Sequence, residues 1–192
     1  RWYRVCFRVD VWPEEPQHFS GQQACVVWQL HDQADTGDTY VEPPLWIEDD
    51  GNGNWELWNT YDANAVSSIS TRTHRLLARW PRMLGKWEHV VIYMEPSWTS
   101  GKLRVWRDHR RVFEESGVPN CFNHLPARGG SFNYVEYGVY GGKTGQLQDR
   151  QALHMGCQIG DESYSTYSAF MAACGSSSIE LPRAFAGRTA IA

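Results

Sequence analysis

Short strand-like segments recur along most of this chain, each closed by a turn signal, and they limit what it can fold into. Trp2–Val11 alternates and stops at Trp12-Pro13. Residues 24–31 are apolar and rich in β-formers. Residues 45–47 and 55–60 flank the turn Asp49-Asp50-Gly51-Asn52-Gly53-Asn54, the pattern of a hairpin. Residues 87–94 alternate, with Trp87, His89, Val91 and Tyr93 on one side. Residues 102–107 and 110–113 bracket a tight turn at Asp108-His109, and Tyr134–Tyr140 and residues 152–159 complete the set. Many short strands at close spacing predict an all-β sandwich or barrel. Helix signals are few. Residues 70–80 read as a short helix or a basic loop. Residues 161–173 read as a terminal helix capped by Asp161 and ended by Gly175. Residues 176–192 read as a tail or linker, which leaves 1–175 as one domain. There is no internal repeat.

Composition narrows function as well as fold. With 192 residues, 42% of them hydrophobic, the chain can bury one sizeable core. No run approaches the ~18 apolar residues of a membrane span. A net charge of −4 argues against generic nucleic-acid binding, while leaving room for local positive charge. The 10 Trp residues suit a β core, and exposed ones suit flat sugar rings. The five cysteines form no CxxC pair, so a zinc site is not indicated. Cys6, Cys25 and Cys157 sit in apolar segments, as small buried hydrophobes do. A disulfide among Cys121, Cys157 and Cys174 is neither required nor excluded by spacing. The start at Arg1, with no signal-peptide pattern, reads as a trimmed piece of something longer.

Chemistry concentrates in two segments. Gln29 and His31 share one face of Trp28-Gln29-Leu30-His31-Asp32, and Tyr134, Glu136, Gly138 and Tyr140 share one face of the late strand. On one sheet these would bring an amide, an imidazole and phenols together. Such a set can neutralise a carboxylate, take a proton from carbon and return one to a leaving oxygen. A buried amide such as Gln29 needs partners. Tyr140 precedes Gly141-Gly142, which gives a ligand room. The basic run Arg72, His74, Arg75, Arg79 and Arg82 reads either as a solvated face or as a clamp on carboxylates or sulfates. The turn Asp49, Asp50, Asn52, Asn54 offers oxygens that could take a structural Ca²⁺, although such clusters are more often plain turns.

Several of these segments together resemble a known family. Trp28 to Asp32, followed by Pro43-Pro44-Leu45-Trp46-Ile47, is similar to the heparin lyase I-like polysaccharide lyases. So are Gly85-Lys86-Trp87-Glu88-His89-Val90-Val91 and Gly101-Lys102-Leu103-Arg104-Val105-Trp106-Arg107-Asp108. Tyr134–Tyr140 resembles their late strand and that of alginate lyases, whose motifs are Gln-Ile-His and Tyr-Phe-Lys-Ala-Gly-x-Tyr. The resemblance spans residues 2–161. It implies a concanavalin A-like β-jelly-roll with a concave groove, and β-elimination of a uronate-containing polysaccharide without a required cofactor. By position, Gln29 would neutralise the substrate carboxylate. His31 or an ionised Tyr140 would be the base, and Tyr140 the acid. Arg72, Arg75, Tyr134, Glu136 and Lys143 would bind substrate. Three departures stand out. Glu136 occupies the alginate-lyase Lys position, the turn at 107–110 lacks its usual Gly, and the family's first strand has no counterpart before Trp2. The implied partner is an acidic polysaccharide, while charge and hydropathy point away from nucleic acid and a membrane; the start at Arg1 and the tail after Ser176 would suit a secreted or virion-associated piece of a larger protein, such as a viral tail component. The rival readings are a carbohydrate-binding module on the same fold and a concanavalin A-like glycoside hydrolase.

Overall fold

The computed structural model describes residues 1–12, 25–32, 37–39, 42–123, 134–140 and 151–174. Ten strands and one helix follow in order: β1 Trp2–Val11, β2 Cys25–His31, β3 Leu45–Asp49, β4 Asn54–Tyr61, β5 Thr73–Pro81, β6 Trp87–Glu95, β7 Gly101–Arg107, β8 Arg110–Val118, β9 Tyr134–Tyr140, β10 Gln151–Gly160 and α1 Tyr167–Ala173. They form two five-stranded antiparallel sheets, β10-β1-β6-β7-β8 (sheet A) and β5-β4-β3-β2-β9 (sheet B). The fold is the all-β sandwich that the strand pattern predicted, in the jelly-roll form that the resemblance implied.

Alternation explains the core. Tyr3, Val5, Phe7 and Val9 of β1 face Leu45 and Ile47 of β3 and Trp55 and Leu57 of β4, all nearly inaccessible to solvent. In β2 the alternation slips. Val27 and Trp28 are consecutive yet both buried in this core, and the β2–β3 register shifts between Val26 and Trp28. That bulge sends Val26, Gln29 and His31 to the outer side while Cys25, Val27, Trp28 and Leu30 stay inside. β9 answers with its own extra residue between the partners of Trp28 and Val26, next to Gly138 at φ +145°.

Residues 70–80 are not a helix. They supply β5, an edge strand whose register slips at Leu77, so both its polar edge character and its bulge hide the alternation. The terminal helix begins at Tyr167, not near Asp161. Thr166 caps it by accepting from the Ala169 N–H at 3.1 Å, while Asp161 accepts from Ser163. Gly175 and the predicted tail lie outside the described residues. Helix α1 packs on the outer side of sheet A, where Phe170 stacks on Trp2 at 5.4 Å and Tyr167 on Trp106 at 4.9 Å. A Cβ at Gly160 would stand 2.6 Å from the Phe170 ring, so the helix needs glycine there. The β7–β8 turn is made without glycine, with Asp108 at φ 47° and His109 at φ 65°. All five cysteines are free thiols, and no disulfide joins Cys121, Cys157 and Cys174.

Candidate functional site

The outer side of sheet B is organised in cross-strand rows. One row runs Glu136, Gln29, Trp46, Trp58, Leu76 across β9, β2, β3, β4 and β5. The neighbouring row runs Tyr140, Val26, Glu48, Glu56, Arg79. On the other flank His31 stands opposite Tyr134, and Thr60 opposite His74. Gln29, His31, Tyr134, Glu136 and Tyr140 thus come from one strand pair. Segments of β2 and β9 from Val26 to Gln29 and from Val135 to Gly138 line an open cavity of ≈ 420 Å³.

Within that pair Gln29 is 5% exposed, and its amide donates a short hydrogen bond to the exposed Glu136. One amide N–H is therefore committed to a carboxylate of the protein itself. His31 is half-buried. Its Nδ1 donates to the Asp32 carbonyl at 2.5 Å, so in the neutral ring the lone pair sits on Nε2. Lys143 lies outside the described residues.

The basic run divides. Arg72 bridges to Glu42 at 2.7 Å and His74 Nε2 meets the same carboxylate at 2.8 Å. Arg79 donates to Glu56 through Nε at 2.6 Å, and Arg82 pairs with Asp49 at 2.7 Å. Arg75, expected to line the groove, stands opposite Asn59 on the core side of β5 and bridges to Glu115 of β8. It ties the edges of the two sheets together. Alternation sets Arg75 on the side away from His74, and the Leu77 bulge keeps it from sharing a side with Arg79. Each arginine of the run is held by a carboxylate. The acidic turn uses its oxygens locally: Asp50 Oδ1 accepts the N–H groups of Asn52 at 2.8 Å and Asn54 at 2.9 Å. Burial opposes ionisation of Asp50, but these bonds prevail and hold its carboxyl below the usual range. Among the described residues no three His, Cys, Asp or Glu are grouped to hold a metal ion.

Four residues beside this pair, Trp46, Glu48, Glu56 and Trp58, had no part in the lyase site read from the sequence. Trp46 and Trp58 are half-buried neighbours with ring centroids 6.2 Å apart and planes within 10°. Trp46 Nε1 donates to Glu48 at 2.7 Å, and Trp58 Nε1 to Glu56 at 2.9 Å. Burial pushes the Glu48 carboxyl up to about 7, Glu56, Asp49 and Glu42 reinforcing it and the Trp46 N–H opposing it. The signal is a mirror pattern: Trp46-Ile47-Glu48 before the hairpin turn and Glu56-Leu57-Trp58 after it. In an antiparallel hairpin that pattern sets Trp against Trp and Glu against Glu.

No family model matches the chain, and no curated protein matches it. Among solved structures it is similar to the endo-β-1,4-glucuronan lyase of the fungus Trichoderma reesei, with a TM-score of 0.61 at 18% sequence identity. The likeness covers 80% of this chain and 64% of that one, so the chain spans less than two thirds of its neighbour's length. At this identity the likeness establishes a shared sandwich fold.

Proposed function

We propose that this protein is a polysaccharide lyase that cleaves a uronate-bearing polymer by β-elimination. The observation that carries the reading is the β2–β9 pairing, which sets Gln29 beside Glu136 at an open cavity, pairs His31 with Tyr134 and puts Tyr140 on the next row. The fold shared with a glucuronan lyase supports it more coarsely. Elimination needs the C5 proton made acidic, a base to take it and an acid for the C4 oxygen. An amide N–H of Gln29 would stabilise the charge growing on the uronate carboxylate. The lone pair on His31 Nε2 would take the proton, and the Tyr140 hydroxyl would protonate the leaving oxygen. Arg72, Tyr134 and Lys143 would hold the polymer. Glu136 must yield its Gln29 contact, or share it, when a substrate carboxylate arrives.

Incubation with a panel of acidic polysaccharides, followed by ultraviolet absorbance of a new unsaturated uronate, tests this. Tyr140→Phe should slow that signal ~10²-fold or more while circular dichroism is unchanged. A parent protein that binds polymer without ever forming the double bond would instead be a binding module. One observation favours a hydrolase as second reading. Glu48, pushed up to about 7, stands directly across from Glu56, and two facing carboxyl groups can serve as acid and base. New reducing ends without ultraviolet absorbance would establish it.

A further inference from the structure

We infer that Trp46 and Trp58 form a stacking subsite for an uncharged pyranose, next in line to the Gln29–Glu136 pair. The inference rests on the reading of this face as a polysaccharide groove and adds what kind of sugar lies beside the reacting one. Three observations carry it. The first is alignment. Gln29, Trp46 and Trp58 are successive cross-strand partners, so they march across the sheet one strand apart. Strands are about 4.8 Å apart, close to the length of one pyranose in an extended chain. A polymer lying across the strands would meet Gln29, then Trp46, then Trp58, roughly one ring at each step.

The second is pre-organisation. A half-buried indole on an outer face ordinarily has several rotamers to lose on binding. Here each ring is pinned through its N–H by a carboxylate two residues along its own strand, Glu48 for Trp46 and Glu56 for Trp58. The planes are parallel within 10°, and His74 meets Trp46 edge-on at 5.9 Å. The helix α1, which covers the outer aromatics of the other sheet, packs nowhere near this row. Fixed, flat, amphipathic rings on a face that no described helix covers are what the apolar face of a sugar needs.

The third is charge. The row beside the rings is Glu48, Glu56 and Arg79, with Asp50 close behind, and Arg79 is already bonded to Glu56 and lies 3.8 Å from Asp50. Carboxyl groups bond sugar hydroxyls, and with Arg79 already held by Glu56 this row has no cation left to take a carboxylate or a sulfate. The ring above Trp46 and Trp58 therefore carries hydroxyls and no acid group on that side. The uronate belongs over Gln29 and His31.

The test is a tryptophan-fluorescence titration of the whole chain with cellohexaose and mannohexaose, both neutral, and with a hexamer of glucuronate. We expect at least one neutral hexamer to bind, and Trp46→Ala or Trp58→Ala to weaken it about tenfold or more. Trp46→Phe should recover part of the loss. Above pH 7, where Glu48 is ionised, Glu48→Gln should improve the glucuronate hexamer relative to the neutral one. The inference is overturned if neither neutral hexamer binds, if both Trp variants bind them like the parent, or if the glucuronate hexamer is the better ligand and loses most in those variants. Its failure is distinct from that of the lyase reading. A protein that binds a neutral hexamer through these rings yet forms no unsaturated uronate loses only the lyase assignment. One that eliminates at full rate with both rings removed loses only the subsite.

Discussion

The outer sides of the two sheets are built from similar residues and put to opposite uses. On sheet A the outward residues Trp2, Val91 and Trp106 are buried beneath Phe170, Tyr167 and Tyr164, and Trp2 Nε1 donates to the Tyr164 carbonyl at 2.7 Å. On sheet B the outward Trp46 and Trp58 stay half-buried, and their N–H groups go to carboxylates of the same face. Charges follow the same division. Sheet A buries Arg4, 8% exposed, whose guanidinium donates to His89 Nε2 at 3.0 Å and to Gln158 at 2.7 Å. Sheet B leaves Glu136 and Arg79 exposed and Glu48 half-buried, and the one carboxylate it buries here, Glu56, is held by the exposed Arg79. Aromatic content alone therefore does not mark a ligand face. What separates the two is whether the indole N–H is satisfied by the element that covers it or by the sheet itself.

The largest effect is expected under the helix. Phe170→Ala removes a 2% exposed ring from between Trp2 and Tyr164, and should cost about 3–5 kcal/mol in denaturant unfolding. Polymer binding by the folded fraction should not change. A variant that stays folded but loses binding would mean the two faces are coupled. The mirror experiment is His31→Ala on sheet B. There the rate of double-bond formation should fall ~10²-fold, while stability stays within about 0.5 kcal/mol. A large loss of stability with little loss of rate would make His31 a structural residue.

How far the chain could be read in advance differs between the same two regions. The sandwich was legible because nine of its ten described strands alternate or are bounded by turn residues, as in Trp2–Val11 and the Asp49 to Asn54 hairpin. β5 was not, because an edge strand may be polar on both sides and Leu77 breaks its period. The helix was placed too early because Asp161 and Thr166 are both acceptable caps, and only Trp2 and Gly160 decide which one docks. At the candidate site, Gln29, His31 and the late-strand residues follow from alternation and register. Which way Arg75 points, and that Glu136 would bond Gln29, depend on bulges and long-range pairing that no local pattern encodes.

Acid should probe sheet A. Burial, with Arg4 and His109 adding to it, pushes the His89 ring down to about 4, so the folded protein holds it neutral where the unfolded chain takes a proton near 6.5. A depressed folded value gives stability that is present above pH 6.5 and is lost as pH falls toward 4. The loss should be about 2–3 kcal/mol, and His89→Gln should flatten that part of a stability-versus-pH curve measured by denaturant melts. An unchanged slope would leave acid sensitivity to other groups.

The smallest effect, of opposite sign, should come from sheet B. Glu48 is raised from 4.5 to about 7 because burial, with Glu56, Asp49 and Glu42 nearby, disfavours its ionised form. The folded state then holds a proton that the unfolded chain releases above pH 4.5. The stabilisation is complete below that value and drains away as pH rises to about 7. Because Glu48 is only half-buried, about 1–2 kcal/mol is a fair scale after solvent screening. Glu48→Gln, which cannot ionise, should remove the slope between pH 5 and pH 7 and leave the acid limb of His89 intact. The same substitution keeps an acceptor for Trp46 Nε1, so the ring pair should hold its geometry. If the neutral-side slope survives in Glu48→Gln, the carboxyl is not held protonated by its surroundings, and the contrast in charge between the two faces would rest on Arg4 and His89 alone.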